Sequence, residues 1–160
     1  MTFDIFDASG EIDMNRVTAL VARDPSLVNT TDHAGNSPVH WAVNQNHGEL
    51  LDFLLTSGAN IQCQDHNGLT PLHHAAGGSY FEIMSMLISY GAPVNAQDNI
   101  GMTPLHYAVT AQSPECVELL LNSGAEVNIA TDKGLKPLNL AHTAGNHVMA
   151  DYLRSYGAML

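Results

Sequence analysis

The sequence predicts an all-α repeat solenoid, and three observations predict it. Pro38, Pro71, Pro104 and Pro137 stand 33 residues apart, and so do Gly35, Gly68, Gly101 and Gly134. A second glycine series, Gly58, Gly91, Gly124 and Gly157, keeps the same step with Ala after each glycine. Apolar columns run in phase with both, Leu54, Leu87, Leu120 and Leu153 in one and Ala42, Ala75, Ala108 and Ala141 in another. Self-similarity at such a period marks a chain of small units, none of which can bury its own apolar face alone.

Each unit opens on a turn. Runs such as Asp65-His66-Asn67-Gly68 combine an Asp that hydrogen-bonds its own backbone with a Gly that accepts positive φ. Ser37, Thr70 or Thr103 then serves as a helix N-cap, and Pro follows where its missing N–H is harmless. His40, His73 and His106, two residues beyond each Pro, sit near the third helical position and can reach back to the cap. Ala in the next column lets a neighbouring helix approach closely. A second helix follows, predicted over Glu82 to Tyr90 in one unit, with Ile83, Met84, Leu87 and Ile88 as its buried stripe. Gly91 supplies the left-handed residue that ends it.

Composition narrows the functions. Sixteen acidic residues against five basic ones give a formal net charge of −11. The bases are Arg16, Arg23, Lys133, Lys136 and Arg154, so no Lys or Arg lies between Arg23 and Lys133. Nucleic acids and anionic membranes require cationic surface, so neither is an expected partner. No secretory signal and no apolar run of spanning length is read from the sequence, and Cys63 and Cys116 form no close-spaced motif. A reduced, cytoplasmic setting is expected, with the nucleus the other compartment open to it and both thiols free.

Chemistry is not indicated. The nine histidines include no His-x-x-x-His pair, and Cys-x-x-Cys is absent, so neither a metal nor another cofactor is expected. Adjacent His73 and His74 point in different directions on a helix. There is no phosphate-binding glycine loop and no nucleophile elbow. The aspartates Asp32, Asp65 and Asp98 recur with the period and read as turn residues. Cys116 shares a buried column with Leu50, Ile83 and Met149, whereas Cys63 is expected near an exposed turn. The chain reads as no enzyme, with no catalytic residue.

The segments Ser37-Pro38-Val39-His40-Trp41-Ala42, Thr70-Pro71-Leu72-His73-His74-Ala75 and Thr103-Pro104-Leu105-His106-Tyr107-Ala108 resemble the ankyrin Thr-Pro-Leu-His-x-Ala signature. Gly91-Ala92-Pro93-Val94-Asn95 and Gly124-Ala125-Glu126-Val127-Asn128 are similar to that repeat's closing segment. The resemblance covers almost the whole chain. It implies a single domain over 1–160, a stack of helix pairs with β-hairpin tips along one edge. Residues 1–31 read as an N-terminal capping repeat, with Phe3 to Ser9 and Met14 to Ala22 as its helices. Repeats follow over 32–64, 65–97 and 98–130, and a C-terminal capping repeat over 131–160. In that last unit Lys136 replaces the capping Thr, Asn139 the His, and Arg154 ends the column of Leu55, Ile88 and Leu121.

The resemblance also implies a non-catalytic interaction module, an adaptor or inhibitor, that holds another protein or peptide on a concave face made of tips and first helices. By position, that face comprises Asn36, Trp41, His66, Leu69, His74, Asn99, Ile100, Met102, Tyr107, Lys133 and Leu135. Leu69, Ile100, Met102 and Leu135 are apolar where a solenoid needs nothing apolar. Trp41, His74 and Tyr107 are aromatic in successive units; both half-buried packing and partner contact account for them. The acidic balance suits a basic-amphipathic partner segment. A monomer is expected. Two other readings remain: Asn95 and Asn128 stand in a Val-Asn context like that modified by asparaginyl hydroxylases in some ankyrin repeats, and His33, His66 and His74 offer a surface site for a metal or small ligand.

Overall fold

In the computed structural model, residues 13–160 are described. Nine α-helices occur among them: α1 (Met14–Arg23), α2 (Pro38–Asn44), α3 (Gly48–Thr56), α4 (Pro71–Gly77), α5 (Phe81–Ser89), α6 (Pro104–Thr110), α7 (Pro114–Asn122), α8 (Pro137–Thr143) and α9 (His147–Ser155). A single 3-10 turn, Pro25–Asn29, follows α1. The helix expected over Phe3 to Ser9 lies outside the described residues. The helix expected over Glu82 to Tyr90 begins and ends one residue earlier.

Helices α2 to α9 form four antiparallel pairs, α2 with α3 through α8 with α9. The first helices of successive pairs pack more closely on one another than the second helices do, so the stack curves with α2, α4, α6 and α8 on its inner side. Between the rows lies the core. Leu51, Leu54, Leu72, Met84, Leu87, Leu105, Leu120, Leu138 and Leu153 are wholly or almost wholly buried, each worth about 2 kcal/mol. Ala42, Ala75, Ala108 and Ala141 are equally buried and leave room for the neighbouring first helix. Cys116 is buried with Leu50, Ile83 and Met149. No helix among the described residues is long and apolar enough to cross a membrane.

Second helices end as the glycine series predicts. Gly91 takes φ +87°, its N–H bonds the carbonyl of Ile88, and the Ala92 N–H bonds that of Leu87. That pair of bonds closes a Schellman motif, which satisfies carbonyls the helix leaves free.

Three histidines bolt the units together. His73 Nδ1 accepts from the Thr70 N–H at 3.0 Å and contacts Thr70 Oγ1 at 2.8 Å. Accepting at Nδ1 puts the ring proton on Nε2, which donates to the Met102 carbonyl in the next unit at 3.0 Å. His40 does the same with Ser37 and the Leu69 carbonyl, and His106 with Thr103 and the Leu135 carbonyl. All three rings are fully buried. In the last unit Asn139 Oδ1 accepts from the Lys136 N–H at 2.7 Å, so the cap survives without the bolt.

Burial pushes the pKa of His40, His73 and His106 down, and the carbonyl bond at Nε2 offsets this only in part. Each is neutral in the fold, while the unfolded chain gains a proton once the pH drops below 6.5. Their contribution is therefore complete above that value and is lost as pH falls through it towards the folded values. Stability should decline by up to about 1.4 kcal/mol per histidine per pH unit in that window. Asp32 adds a second loss at more acid pH. Burial raises its pKa, but bonds from Asn36, Ala34 and Trp41 together outweigh it and hold it at about 2 against 3.8 unfolded. Urea unfolding followed at several pH values should show both declines; a flat profile between about pH 7 and 5 would mean the rings are not buried neutral.

Candidate functional site

The first three tips are turns closed by carboxylates, the fourth by the Thr131 hydroxyl, and no β-strand forms among the described residues. The β-hairpins expected there do not appear as paired strands. Asp65 Oδ1 accepts from the N–H groups of Asn67 (2.8 Å) and Leu69 (3.0 Å), while the Asp65 N–H bonds the Leu69 carbonyl at 3.0 Å. The carboxylate thus satisfies donors that a strand ladder would otherwise engage. One backbone bond joins each tip to the next: His66 to Ala34, Asn99 to Asn67 and Asp132 to Ile100, each at 3.0 Å. Close stacking is why these turns need glycine. At Gly68, with φ +80°, a Cβ would lie 2.8 Å from the Asn99 backbone nitrogen.

The same carboxylates reach the inner helices. Asp32 Oδ2 accepts from Trp41 Nε1 (3.2 Å), Asp65 Oδ2 pairs with His74 Nε2 (3.1 Å), and Asp98 Oδ2 accepts from the Tyr107 hydroxyl (2.8 Å). Sequence reasoning missed this relation, although its signal is visible: an Asp with a ring donor nine residues on, three times over. The fourth unit has Thr131 and Leu140 instead, losing both partners together. Burial and the Asp98 bond drive the Tyr107 hydroxyl pKa well above its ordinary value. Burial works against Asp65, but the Leu69 N–H, the His74 ring and the Asn67 N–H outweigh it and hold its carboxyl below the usual range.

Trp41, His74 and Tyr107 are therefore half-buried struts between turn and helix, each with one edge on the inner face. His74 stands edge-on to His40, and Tyr107 edge-on to His73, at 5.2 and 5.5 Å between ring centres. Asn36 is also half-buried, with its amide on Asp32 Oδ2. Leu69 and Met102 are half-buried beside their turns. Exposed are His66, Asn99, Ile100, Lys133 and Leu135, the side chain of Asn99 being tied to the His66 carbonyl. Ile100 is 58% exposed and Leu135 42%, the two most open apolar residues at the tips.

Asn95 and Asn128 are clamps. Asn95 donates to the Gly124 carbonyl (3.1 Å) and accepts from the Glu126 N–H (2.8 Å), and Asn128 does likewise with Gly157 and Met159. Asn29 makes the same pair of bonds to Gly58 and Asn60. His33 and His66 are exposed, and among the described residues no group of three or more His, Cys, Asp or Glu converges as a metal site would. Cys63, expected near an exposed turn, is instead half-buried with its sulfur 3.0 Å from Ser37 Oγ. Burial pushes its thiol pKa up, which makes it a poor nucleophile.

Most exposed carboxylates lie away from the tips. Glu49, Asp52, Glu82, Glu115, Glu118 and Asp151 are all exposed, and all stand on the second helices. Apart from Asp132, the acids of the tips are engaged inside the fold.

A family model for ankyrin repeats (three copies) matches residues 39–131 and, in a second match, residues 93–160. Ankyrin repeats are in general protein–protein interaction modules, and the family is typically non-catalytic. With most of the sequence matched, the chain belongs to the ankyrin-repeat family.

Proposed function

We propose that this protein is a non-catalytic adaptor or inhibitor that holds one partner protein on its inner face, with the tips from Leu69 to Leu135 as the contact. The observation behind this reading is the exposure of Ile100 and Leu135. Neither has a packing role that would explain an apolar residue at a turn, and the turn next to Ile100 is already closed by Asp98. Met102, Leu69 and the open edges of Trp41, His74 and Tyr107 extend the patch into the groove. His66, Asn99, Asn36 and Lys133 form a polar rim around it.

Such a surface receives apolar anchors from an extended or helical partner segment. Repeat stacking fixes the contact residues beforehand, which lowers the ordering cost of binding. The negative field of the second helices draws basic segments towards the molecule at long range, and that help fades with salt. A basic-amphipathic segment satisfies both demands.

The test is capture from a lysate of the native host, comparing the unaltered chain with a double variant, Ile100→Ser/Leu135→Ser. Both positions are open enough for the melting curve to stay where it was. Loss of a captured protein by the folded double variant supports the tips as the contact. Equal capture by both would move the contact away from them.

A further inference from the structure

A second surface lies on the other side of the stack. Between α7 and α9 runs a groove of about 310 Å³, lined by Gln112, Pro114, Glu118, Asn146, Val148, Met149 and Tyr152. The repeat register makes it unusual. Glu49, Glu82 and Glu115 occupy one column, and its fourth member is Val148, which is 82% exposed. A position that is acidic in three units becomes an open apolar one here, and nothing in the helix pair requires it.

The wall beside it is acidic. Glu118 is exposed in the groove itself, Glu115 lies one turn before it on α7, and Asp151 stands on α9. The positive groups nearby are few. Arg154 bonds Asp151 at 2.8 Å and His142 at 2.8 Å, and His147 is exposed at the start of α9. Tyr152 presents a phenol whose pKa is pushed up to about 12, first by the Tyr156 hydroxyl 3.4 Å away, then by burial and by the Glu118 charge. It stays a neutral donor throughout the physiological range.

From the groove, the open valine and the surrounding charge, we infer that α7 and α9 form a second docking site, for a basic segment of a partner protein that seats an apolar side chain against Val148, Pro114 and Tyr152 and a Lys or Arg against Glu118. Charge complementarity selects the occupant. A second copy of this chain would bring a strongly negative surface to a negative wall, whereas a cationic segment neutralises it. The site is independent of the inner face, and each can fail without the other.

The probe is a short synthetic peptide of alternating lysine and leucine, titrated into the isotope-labelled full chain and read by amide chemical shifts. Shifts should cluster at residues 112–118 and 146–152, and the same peptide with glutamate for lysine should produce none. Val148→Asn should weaken binding about five-fold and Glu118→Lys about ten-fold at low salt, with unaltered melting curves. Shifts gathered at Ile100 and Met102 would overturn the assignment. So would binding that both substitutions leave unchanged, which is diffuse charge attraction, or a dimer in sedimentation that Val148→Asn dissociates, which makes the occupant a second copy.

Discussion

His73→Ala should lower the unfolding free energy by about 3 to 4 kcal/mol, a large share of what a domain of this size has to lose. The residue is fully buried and joins two units. Alanine would leave the buried Thr70 N–H without an acceptor and would open a hole beneath Tyr107, whose ring now stands edge-on to the imidazole. The Met102 carbonyl would keep its bond from the Asp98 N–H, so the damage on that side is loss of the bolt and not an orphaned group. His73→Asn separates the two jobs. Asn139 shows that an amide oxygen can hold the N-cap N–H, but asparagine is too short to reach the next unit. It should recover roughly half of the loss. Urea unfolding of the three proteins side by side measures this; equal stability of alanine and asparagine variants would show that the cap contributes nothing.

Asp65→Thr should cost about 2 kcal/mol, because one hydroxyl cannot replace three accepted bonds. Of those, two close the turn and one holds His74. The fourth unit already contains the remedy, since Thr131 Oγ1 accepts from the Leu135 N–H at 3.2 Å while Leu140 asks for nothing. Asp65→Thr combined with His74→Leu should therefore be more stable than the two single costs predict, by about 1 kcal/mol. A double-mutant cycle reads that coupling directly. Strict additivity would mean that the Asp65–His74 contact at 3.1 Å contributes no stability.

Much of the fold was legible because its residues repeat. Pro38, His40, Ala42, Leu54 and Gly58 each recur in phase, and each has one physical reason to be where it is. The tips were less legible for a related reason. A turn Asp with a downstream Gly is compatible with a hairpin, and only the distances reveal that the carboxylate engages the donors a strand would have paired. The aromatic column was ambiguous until Asp32, Asp65 and Asp98 were found bonded to Trp41, His74 and Tyr107, a link nine residues long that no helical or strand period suggests. Charge was the least legible property. Net charge can be summed from a sequence, but its concentration on the second helices depends on which side of each helix faces water.

The inner face is tested most directly by photo-cross-linking. One preparation carries a photoreactive side chain at position 100, at the tips, and another carries it at position 85, on the exposed side of α5. After irradiation in native lysate, position 100 should give one dominant adduct that position 85 does not give. Excess unlabelled chain should compete it away. Adducts identical at both positions, or found at position 85 alone, would contradict the grip of the inner face.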